Sequence, residues 1–211
     1  MNRGLSAPAR RIATGVIAIA CLCVAVASVG ADLPILADDY VTYEALLEHI
    51  RVRNPSVDAI YVRFLHRAYA AATAQEGVSM LVALAQMVHE TGALRFGGSV
   101  RASQYNFAGL GAVNETAPGL SFSNMRTGVL AHVQHLKAYA TTEPLRTELV
   151  NPRFHLVRRG AAPTVTGLTG TWATDPLYAE KLLAHAESLS RLSAERPSSG
   201  RPPGGLARGS D

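Results

Sequence analysis

Three long polar side chains stand together at the end of an otherwise apolar helix: Gln86, His89 and Glu90. The helix predicted over 78–91 is apolar on every side before them, which is typical of a central, buried helix. Gln86 lies four residues before Glu90, so the two side chains share one face. Burial and the negative end of the helix dipole both raise the pKa of a carboxyl group there. A carboxyl that is protonated near neutral pH suits general-acid catalysis, so Glu90 is the first candidate catalytic residue.

Other interpretations of these residues stay open. Glu90 could be a solvated carboxylate where the helix reaches the surface. His89 and Glu90 begin the zinc-protease pattern H-E-x-x-H, but Ala93 stands where the second histidine belongs. His132 and His135 are three residues apart on a predicted helix and have no evident third ligand, which favours a polar stripe over a metal site. We therefore expect no metal and no organic cofactor.

Helices are the elements that must hold these residues, because apolar side chains recur at helical spacing in five stretches. The predicted helices cover residues 40–51, 57–75, 78–91, 125–140 and 176–192. Ser56 is the expected N-cap of the second helix, and Asp175, followed by Pro176, that of the last. Gly77 and Gly92 are expected to end the second and third helices.

The fold class predicted from these patterns is mainly α, with one domain over 32–192. The stretch 93–123 is rich in glycine and lacks helical periodicity, so it is expected to form a loop lobe with a small β-hairpin. A short helical piece is expected after Pro144. Residues 193–211 are rich in Pro, Gly, Ser and Arg and predict a disordered tail.

Length and composition exclude several classes of protein. The chain has 211 residues, 48% apolar and 17% charged, so it is long enough for a core and too apolar to be disordered throughout. Two cysteines cannot form a disulfide scaffold. Arg3, Arg10 and Arg11 precede residue 31, which leaves 17 basic and 16 acidic residues from Asp32 onward. This near-neutral balance gives no indication of nucleic-acid binding.

The N-terminal segment, residues 1–31, predicts export. A pair of arginines precedes an uncharged apolar run over 12–29, and small residues follow it, which is the layout of a secretory signal. Cleavage after Ala27 or Ala31 would remove both cysteines. The alternatives are an uncleaved membrane anchor over 12–29 and, with a poorer fit, a lipid anchor at Cys21. The protein is thus expected in the cell envelope, periplasmic or extracellular, and at a membrane only through this segment.

Five blocks of sequence, in order, resemble the glucosaminidase domain of glycoside hydrolase family 73. The first reads AQMVHETG and is followed closely by RFGG, and the second reads NFAGLGA. The third, fourth and last read HVQHLKAYA, PRF and GTWATDPLYA. The blocks occupy residues 85–98, 106–112, 132–140, 152–154 and 170–179. The resemblance covers about residues 58–190, most of the chain after the N-terminal segment.

This resemblance implies a lysozyme-like helical fold and the cleavage of bacterial cell-wall glycan strands. The bond cut would be the β-1,4 link on the reducing side of N-acetylglucosamine, and the partner would be peptidoglycan, with the protein as a monomer. Two alternatives remain, because a fold does not establish an activity. One is a catalytically silent glycan-binding or scaffold protein, and the other is a lytic transglycosylase, which leaves an anhydro-sugar.

Glu90 matches the catalytic acid of the family, where it would protonate the departing glycosidic oxygen. Glycosidases usually add a second carboxylate, which the family places in the loop after the catalytic helix; Glu115 is the one acidic residue there. A solvated loop charge is the alternative for Glu115, and the acetamido group of the substrate could replace it. Many relatives carry Tyr where this chain has Trp172, so Tyr178 is the candidate to supply a phenolic hydroxyl.

Four residues of these blocks are expected to contact the substrate: Gln86, Asn106, Phe107 and Trp172. Asn106 carries an amide suited to sugar hydroxyl and acetamido groups, although it could instead close a turn. Phe107 is more often a core residue in such a position, and Trp172 could be either a sugar platform or a core residue. Tyr105 stands where the family has a small amide.

Overall fold

Five α-helices form the part of the chain that the computed structural model describes, residues 32–97, 100–112 and 119–195. They are α1 (Tyr43–Arg51), α2 (Ala59–Glu76), α3 (Met80–Glu90), α4 (Met125–Ala140) and α5 (Tyr178–Glu195). Three single 3-10 turns, at Ala102–Gln104, Phe154–Leu156 and Thr166–Leu168, complete the regular structure. The mainly helical class is confirmed. The predicted signal segment (1–31), Glu115 and the chain after residue 195 lie outside the described residues.

Helix α3 is central because it has no polar face. Met80 and every residue from 82 to 88 are buried, and the helix packs against α2, α4 and α5. Its start is fixed by Ser79, whose hydroxyl accepts the N–H of Val82 at 3.0 Å and donates to Asp39 at 2.6 Å. Such an N-cap stabilises a helix by about 1 kcal/mol. In the described part of the chain, no helix has the length and apolar character needed to cross a membrane.

The chain leaves α3 abruptly, directly after Glu90. Ala93, Leu94 and Phe96 all adopt positive φ angles, of 58°, 62° and 56°, and each such non-glycine residue costs about 1–2 kcal/mol. Burial offsets that cost, since Ala93 is 0% and Leu94 8% exposed. The side-chain amide of Asn54 also donates to the Ala93 carbonyl at 3.1 Å. The tight turn leaves one side of Glu90 open to a cleft among the residues that the structure describes.

The predicted N-cap of the second helix is wrong by two residues. Asp58, and not Ser56, caps α2, and its carboxylate accepts the N–H of Ile60 at 2.7 Å. The Ser56 hydroxyl instead donates to Asn54. Both residue types are good N-caps, so composition alone could not choose between them. Gly77 ends α2 in the left-handed conformation, φ 74°, as predicted.

The helical piece expected after Pro144 is also wrong, because residues 141–150 form bends and no helix. The backbone N–H groups of this segment bond to a side chain of α2 instead of to each other. Arg146 and Thr147 donate their N–H groups to the Glu76 carboxylate at 2.9 and 3.0 Å. Hydrogen bonds to an ionised acceptor are about twice as strong as neutral ones, so they prevail over a short helix.

The described parts of 93–123 contain no strand, so the expected β-hairpin is replaced by turns and one isolated bridge, between Gly97 and Val100. This loop rests directly on α4 at Gly128. A Cβ atom at Gly128 would lie 1.8 Å from the Tyr105 carbonyl oxygen, which is far shorter than any contact between non-bonded atoms. Glycine at this position is therefore what lets the loop backbone touch the helix.

Candidate active site

Glu90 lies in the wall of a cleft with a volume of about 300 Å³, the lower end of the range for small-molecule sites. Its Oε1 accepts the Tyr178 hydroxyl at 2.5 Å, and the Trp172 side chain donates a second hydrogen bond. A Cβ atom on Gly109 would lie 3.4 Å from Oε2, so the loop backbone approaches that oxygen closely. The cleft is lined by Glu90, Gly97, Val100, Ala108, Gly109, Ala112, Trp172 and Ala173.

The pKa of the Glu90 carboxyl is raised above its ordinary value by burial, against the opposing effect of the hydrogen bonds from Tyr178 and Trp172. Two neutral donors do not replace the hydration that a carboxylate loses on burial. No ion pair reaches Glu90 within the described ranges of the chain. The group therefore keeps its proton closer to neutral pH than an exposed glutamate does.

Tyr178 is placed by the start of α5. The N–H of Tyr178 bonds to the Asp175 carbonyl at 3.1 Å, and the Asp175 carboxylate accepts the N–H of Leu177 at 2.9 Å. The ring is 2% exposed, and its hydroxyl accepts the Gln86 amide at 2.8 Å while donating to Glu90. Burial and the neighbouring Glu90 raise the pKa of Tyr178 far above its ordinary value, so the phenol keeps its hydrogen.

Trp172 forms an aromatic wall beside Glu90. Its ring centre lies 5.0 Å from that of His135 and 5.4 Å from that of Tyr139, and the Tyr139 hydroxyl donates to the Thr171 carbonyl. The Trp172 side chain is partly exposed and borders the cleft. It therefore both packs against α4 and presents surface to a bound ligand.

Two of the predicted substrate contacts are fully buried. Gln86 is 0% exposed and bridges His132 and Tyr178, and Phe107 is 0% exposed with its ring edge against Tyr69. Neither side chain borders the cleft. The structure places Gln86 behind the site and Phe107 in the core, which was the alternative for Phe107.

Asn106 fastens the loop, and its amide has no free group. Its Nδ2 donates to the carbonyls of Leu110 and Leu120, at 2.9 and 3.0 Å. Its Oδ1 accepts the N–H groups of Ala108 and Leu110. The side chain is 1% exposed. This is the turn-closing role weighed against substrate binding, and it holds the backbone of Gly109 beside Glu90.

The histidine pair of α4 is engaged in hydrogen bonds. His132 contacts Tyr69 at 2.8 Å and Gln86 at 2.7 Å, and His135 contacts Asn151 at 2.8 Å. Burial lowers the pKa of His132 to about 3 and that of His135 to about 4. Across the described residues, no cluster of three metal-ligating side chains occurs.

The buried partners Tyr69 and His132 are the part of the site that sequence analysis missed. His132 stands in a block that carries the family resemblance, which is the one signal that pointed to it. Glu90 is the single acidic side chain among the described residues that line the cleft. Glu115 lies outside the described residues.

Comparison with known proteins identifies one family. The family model for glucosaminidase, described as mannosyl-glycoprotein endo-beta-N-acetylglucosaminidase, matches residues 66–191. An uncharacterized protein of Borreliella burgdorferi is 47% identical over 139 residues, which are 66% of this chain and 68% of that protein. No solved structure matches the chain.

Proposed function

The chain belongs to the glucosaminidase family, and from that premise we propose that it hydrolyses the glycan strands of peptidoglycan with Glu90 as general acid. The bond cut is the β-1,4 link on the reducing side of N-acetylglucosamine. Family membership supports a function of the peptidoglycan-hydrolase type and a place in the cell envelope. The finer assignment of bond and acid is our proposal.

One observation carries the assignment of Glu90: a partly buried carboxyl with a raised pKa opens on a cleft and forms no ion pair in the described structure. A general acid needs a proton near working pH and a path to the leaving oxygen. Burial supplies the first, and the tight turn after α3 supplies the second.

Tyr178 and Trp172 stabilise the product of the proton transfer. When Glu90 gives its proton to the glycosidic oxygen, it becomes a carboxylate that keeps two donors already aimed at it. Hydrogen bonds to a carboxylate are stronger than those to a neutral acid. The two donors therefore favour the charge distribution that develops during bond cleavage, without reorganisation.

The second catalytic group is either Glu115 or the acetamido group of the substrate. A base or nucleophile carboxylate is usual in glycosidases, and Glu115 is the acidic residue of the loop that follows α3. Trp172 borders the cleft beside Glu90 and offers an aromatic face for a sugar ring. We propose that it is the main sugar contact.

We further propose that residues 1–31 export the protein, either as a cleaved signal or as an anchor through 12–29. Cell-wall glycan lies outside the cytoplasmic membrane, so the proposed substrate requires export. No metal or organic cofactor enters the proposed reaction, and the protein acts as a monomer.

Mass spectrometry of purified cell wall after digestion tests the proposal. Hydrolysis adds water and leaves a reducible N-acetylglucosamine end, which is the expected result for the intact protein and is lost in Glu90→Gln. An anhydro end would show a lytic transglycosylase instead. No new ends, in digests where an established wall hydrolase does release them, would show a binding or scaffold protein.

Glu115→Ala separates the two routes for the second group. If Glu115 is the base, the variant loses about 10²- to 10⁴-fold in rate. An unchanged rate would assign that step to the acetamido group of the substrate.

A further inference from the structure

A continuous chain of hydrogen bonds runs from the core to Glu90. Tyr69 Oη lies 2.8 Å from His132 Nδ1, and His132 Nε2 lies 2.7 Å from Gln86 Oε1. Gln86 Nε2 lies 2.8 Å from Tyr178 Oη, which lies 2.5 Å from Glu90 Oε1. The members come from α2, α4, α3 and α5 in turn, so the chain forms only when four helices pack.

Gln86 sets the direction of this chain, because an amide oxygen only accepts and an amide nitrogen only donates. His132 must therefore donate through Nε2, and its Nδ1 accepts the Tyr69 hydroxyl. On the other side, the Gln86 N–H occupies the Tyr178 oxygen, so Tyr178 gives its own hydrogen to Glu90. In the reverse direction an ionised Glu90 would face the lone pairs of Tyr178 Oη and keep only the hydrogen bond from Trp172.

We propose that Gln86 and His132 are positioning residues that keep the acidic proton of Glu90 on Oε2, the oxygen that approaches Gly109 at the cleft wall. This inference rests on the proposed role of Glu90 as the general acid. Only one hydrogen fits between Tyr178 Oη and Glu90 Oε1, and the chain requires that it belong to Tyr178. The proton of the neutral acid is then left on Oε2, where a glycosidic oxygen can receive it.

No other member of the chain changes charge near neutral pH. Burial lowers the pKa of His132 to about 3 and raises that of Tyr69 well above its ordinary value. The titratable groups that face Tyr178 are Tyr139 from α4 and His89 from α3. Tyr139 has a raised pKa and His89 a lowered one, both through burial.

The charged groups around these residues are few. His89 interacts with Lys181 and Asp175 at the start of α5, and Arg153 lies near Tyr139 and His135. The pKa of Glu90 is thus governed by its burial and by the hydrogen bonds from Tyr178 and Trp172.

The test is Gln86→Met, which keeps the volume of the side chain and removes both its donor and its acceptor. Tyr178 Oη is then free to accept the Glu90 proton, so a fraction of the acid is protonated on the wrong oxygen. We expect kcat on cell-wall glycan to fall about tenfold and KM to change less than about twofold, as for an interaction made in the transition state. The high-pH limb of activity moves to higher pH, because Tyr178 stabilises the carboxylate less.

His132→Phe should have the same effect, and the double variant should lose no more than the worse single variant. Residues that act through one chain are non-additive, whereas independent defects multiply. A double variant whose loss equals the product of the two single losses would overturn the proposal.

His66→Phe is the matched control. His66 is also a buried histidine, 5% exposed, whose Nε2 lies 2.8 Å from the Val41 carbonyl oxygen, and it has no part in the chain. It should lose stability like His132→Phe but keep the kcat of the folded fraction and the same high-pH limb. The same shift of that limb in His66→Phe would reduce the role of His132 to packing.

Two measurements need no substrate, so they separate this inference from the proposed function. NMR of the intact protein should show His132 neutral with its hydrogen on Nε2; a hydrogen on Nδ1 would reverse the chain and overturn the inference. The carboxyl carbon of Glu90 should titrate at higher pH in Gln86→Met than in the unaltered protein, and an unchanged titration would overturn it too. If the shift occurs but the unaltered protein cuts no glycan, the proposed function is wrong, and the inference about the hydrogen-bond chain is still supported.

Discussion

Two glutamates end two consecutive helices, and the structure treats them in opposite ways. Glu76 is the last residue of α2 and Glu90 the last of α3. Burial alone would raise the pKa of Glu76, but hydrogen bonds from the Arg146 backbone, Lys137 and Thr147 lower it below its ordinary value. Glu90 has a raised pKa. Residue type and helix position are the same, so the partners make the difference.

The contrast shows what turns a buried carboxyl into an acid. Glu76 meets the buried ammonium of Lys137 at 2.8 Å and also takes two backbone N–H groups. It is an ionised tie that holds the segment after α4 to α2. Glu90 has two neutral donors and an open side toward the cleft. A carboxyl with too few donors retains its proton to higher pH, and an open cleft lets it pass that proton to a bound substrate.

The largest expected effect comes from exchanging carboxyl for amide at the two positions. Glu90→Gln should lose about 10²- to 10⁴-fold in rate, as for a removed general acid, and keep its thermal stability. Glu76→Gln should lose thermal stability and keep the reaction rate of each folded molecule. Activity assays normalised to folded protein, with melting curves, check both. Near-full activity in Glu90→Gln would remove this residue from the mechanism.

Next in size is the loss of the cation. Lys137→Met leaves Glu76 buried without its charge partner, and breaking a buried pair costs about 3–5 kcal/mol in the free energy of unfolding. Arg191→Met is the control, because its pair with Glu195 is exposed on α5 and should contribute less than about 1 kcal/mol. Urea unfolding measures both. Equal losses in the two variants would mean that burial of the Glu76 pair adds nothing.

The dependence of stability on pH should separate the two glutamates further. The pKa of Glu76 is lower in the folded than in the unfolded protein, where it is near 4.5. Its contribution to the free energy of unfolding is therefore fully present above pH 4.5 and is lost as the pH falls through the folded pKa. The pKa of Glu90 is higher in the folded than in the unfolded protein. Its contribution to the free energy of unfolding is therefore fully present below the unfolded pKa and is lost as the pH rises through the folded pKa.

Unfolding curves at several pH values check this through differences from the unaltered protein. The deficit of Glu76→Gln should shrink in acid, and the stability of Glu90→Gln relative to the unaltered protein should rise as the pH is raised. His49 and His185, whose pKa burial lowers to about 4, weaken all three proteins alike between about pH 6.5 and 4. Parallel curves for the two variants would contradict the contrast.

The smallest expected effect concerns the second donor to Glu90. Trp172→Phe keeps an aromatic ring but removes the N–H, so the pKa of Glu90 should rise and KM should stay nearly constant. Trp172→Ala also removes the ring and should raise KM by about 3- to 10-fold, the range for one aromatic contact. Glycan-binding and activity profiles against pH distinguish them. Unchanged glycan binding with collapsed stability in Trp172→Ala would assign the ring to the core.

The amino-acid pattern predicted α3, its burial and Glu90 at its end, because these are local properties of one apolar helix. The same reasoning placed Gln86 and Glu90 on one side, yet it assigned Gln86 to the substrate. Its partners, His132 and Tyr178, lie 46 and 92 residues after it. Contacts at such separations depend on how helices pack, which periodicity does not encode.

The errors have a similar cause. The segment after Pro144 has helical composition, but the Glu76 carboxylate takes the N–H groups of Arg146 and Thr147. Asn106 has the chemistry of a sugar ligand, but nearby backbone groups occupy its whole amide. In the first case the partner is a buried side chain from a distant part of the chain. In the second case the partners are backbone groups of the loop that contains Asn106. Neither set of hydrogen bonds can be inferred from the local sequence.

The hydrogen bonds made by the Asn106 side chain have a consequence for engineering. Its amide joins the carbonyls of Leu110 and Leu120, and the Leu120 N–H also bonds to the Leu110 carbonyl at 2.8 Å. The two ends of the segment between these leucines are therefore held next to each other. Lengthening a closed loop costs little, about 0.6 kcal/mol for each doubling. An insertion between Ala112 and Gly119 should therefore cost little stability and leave Glu90 in place.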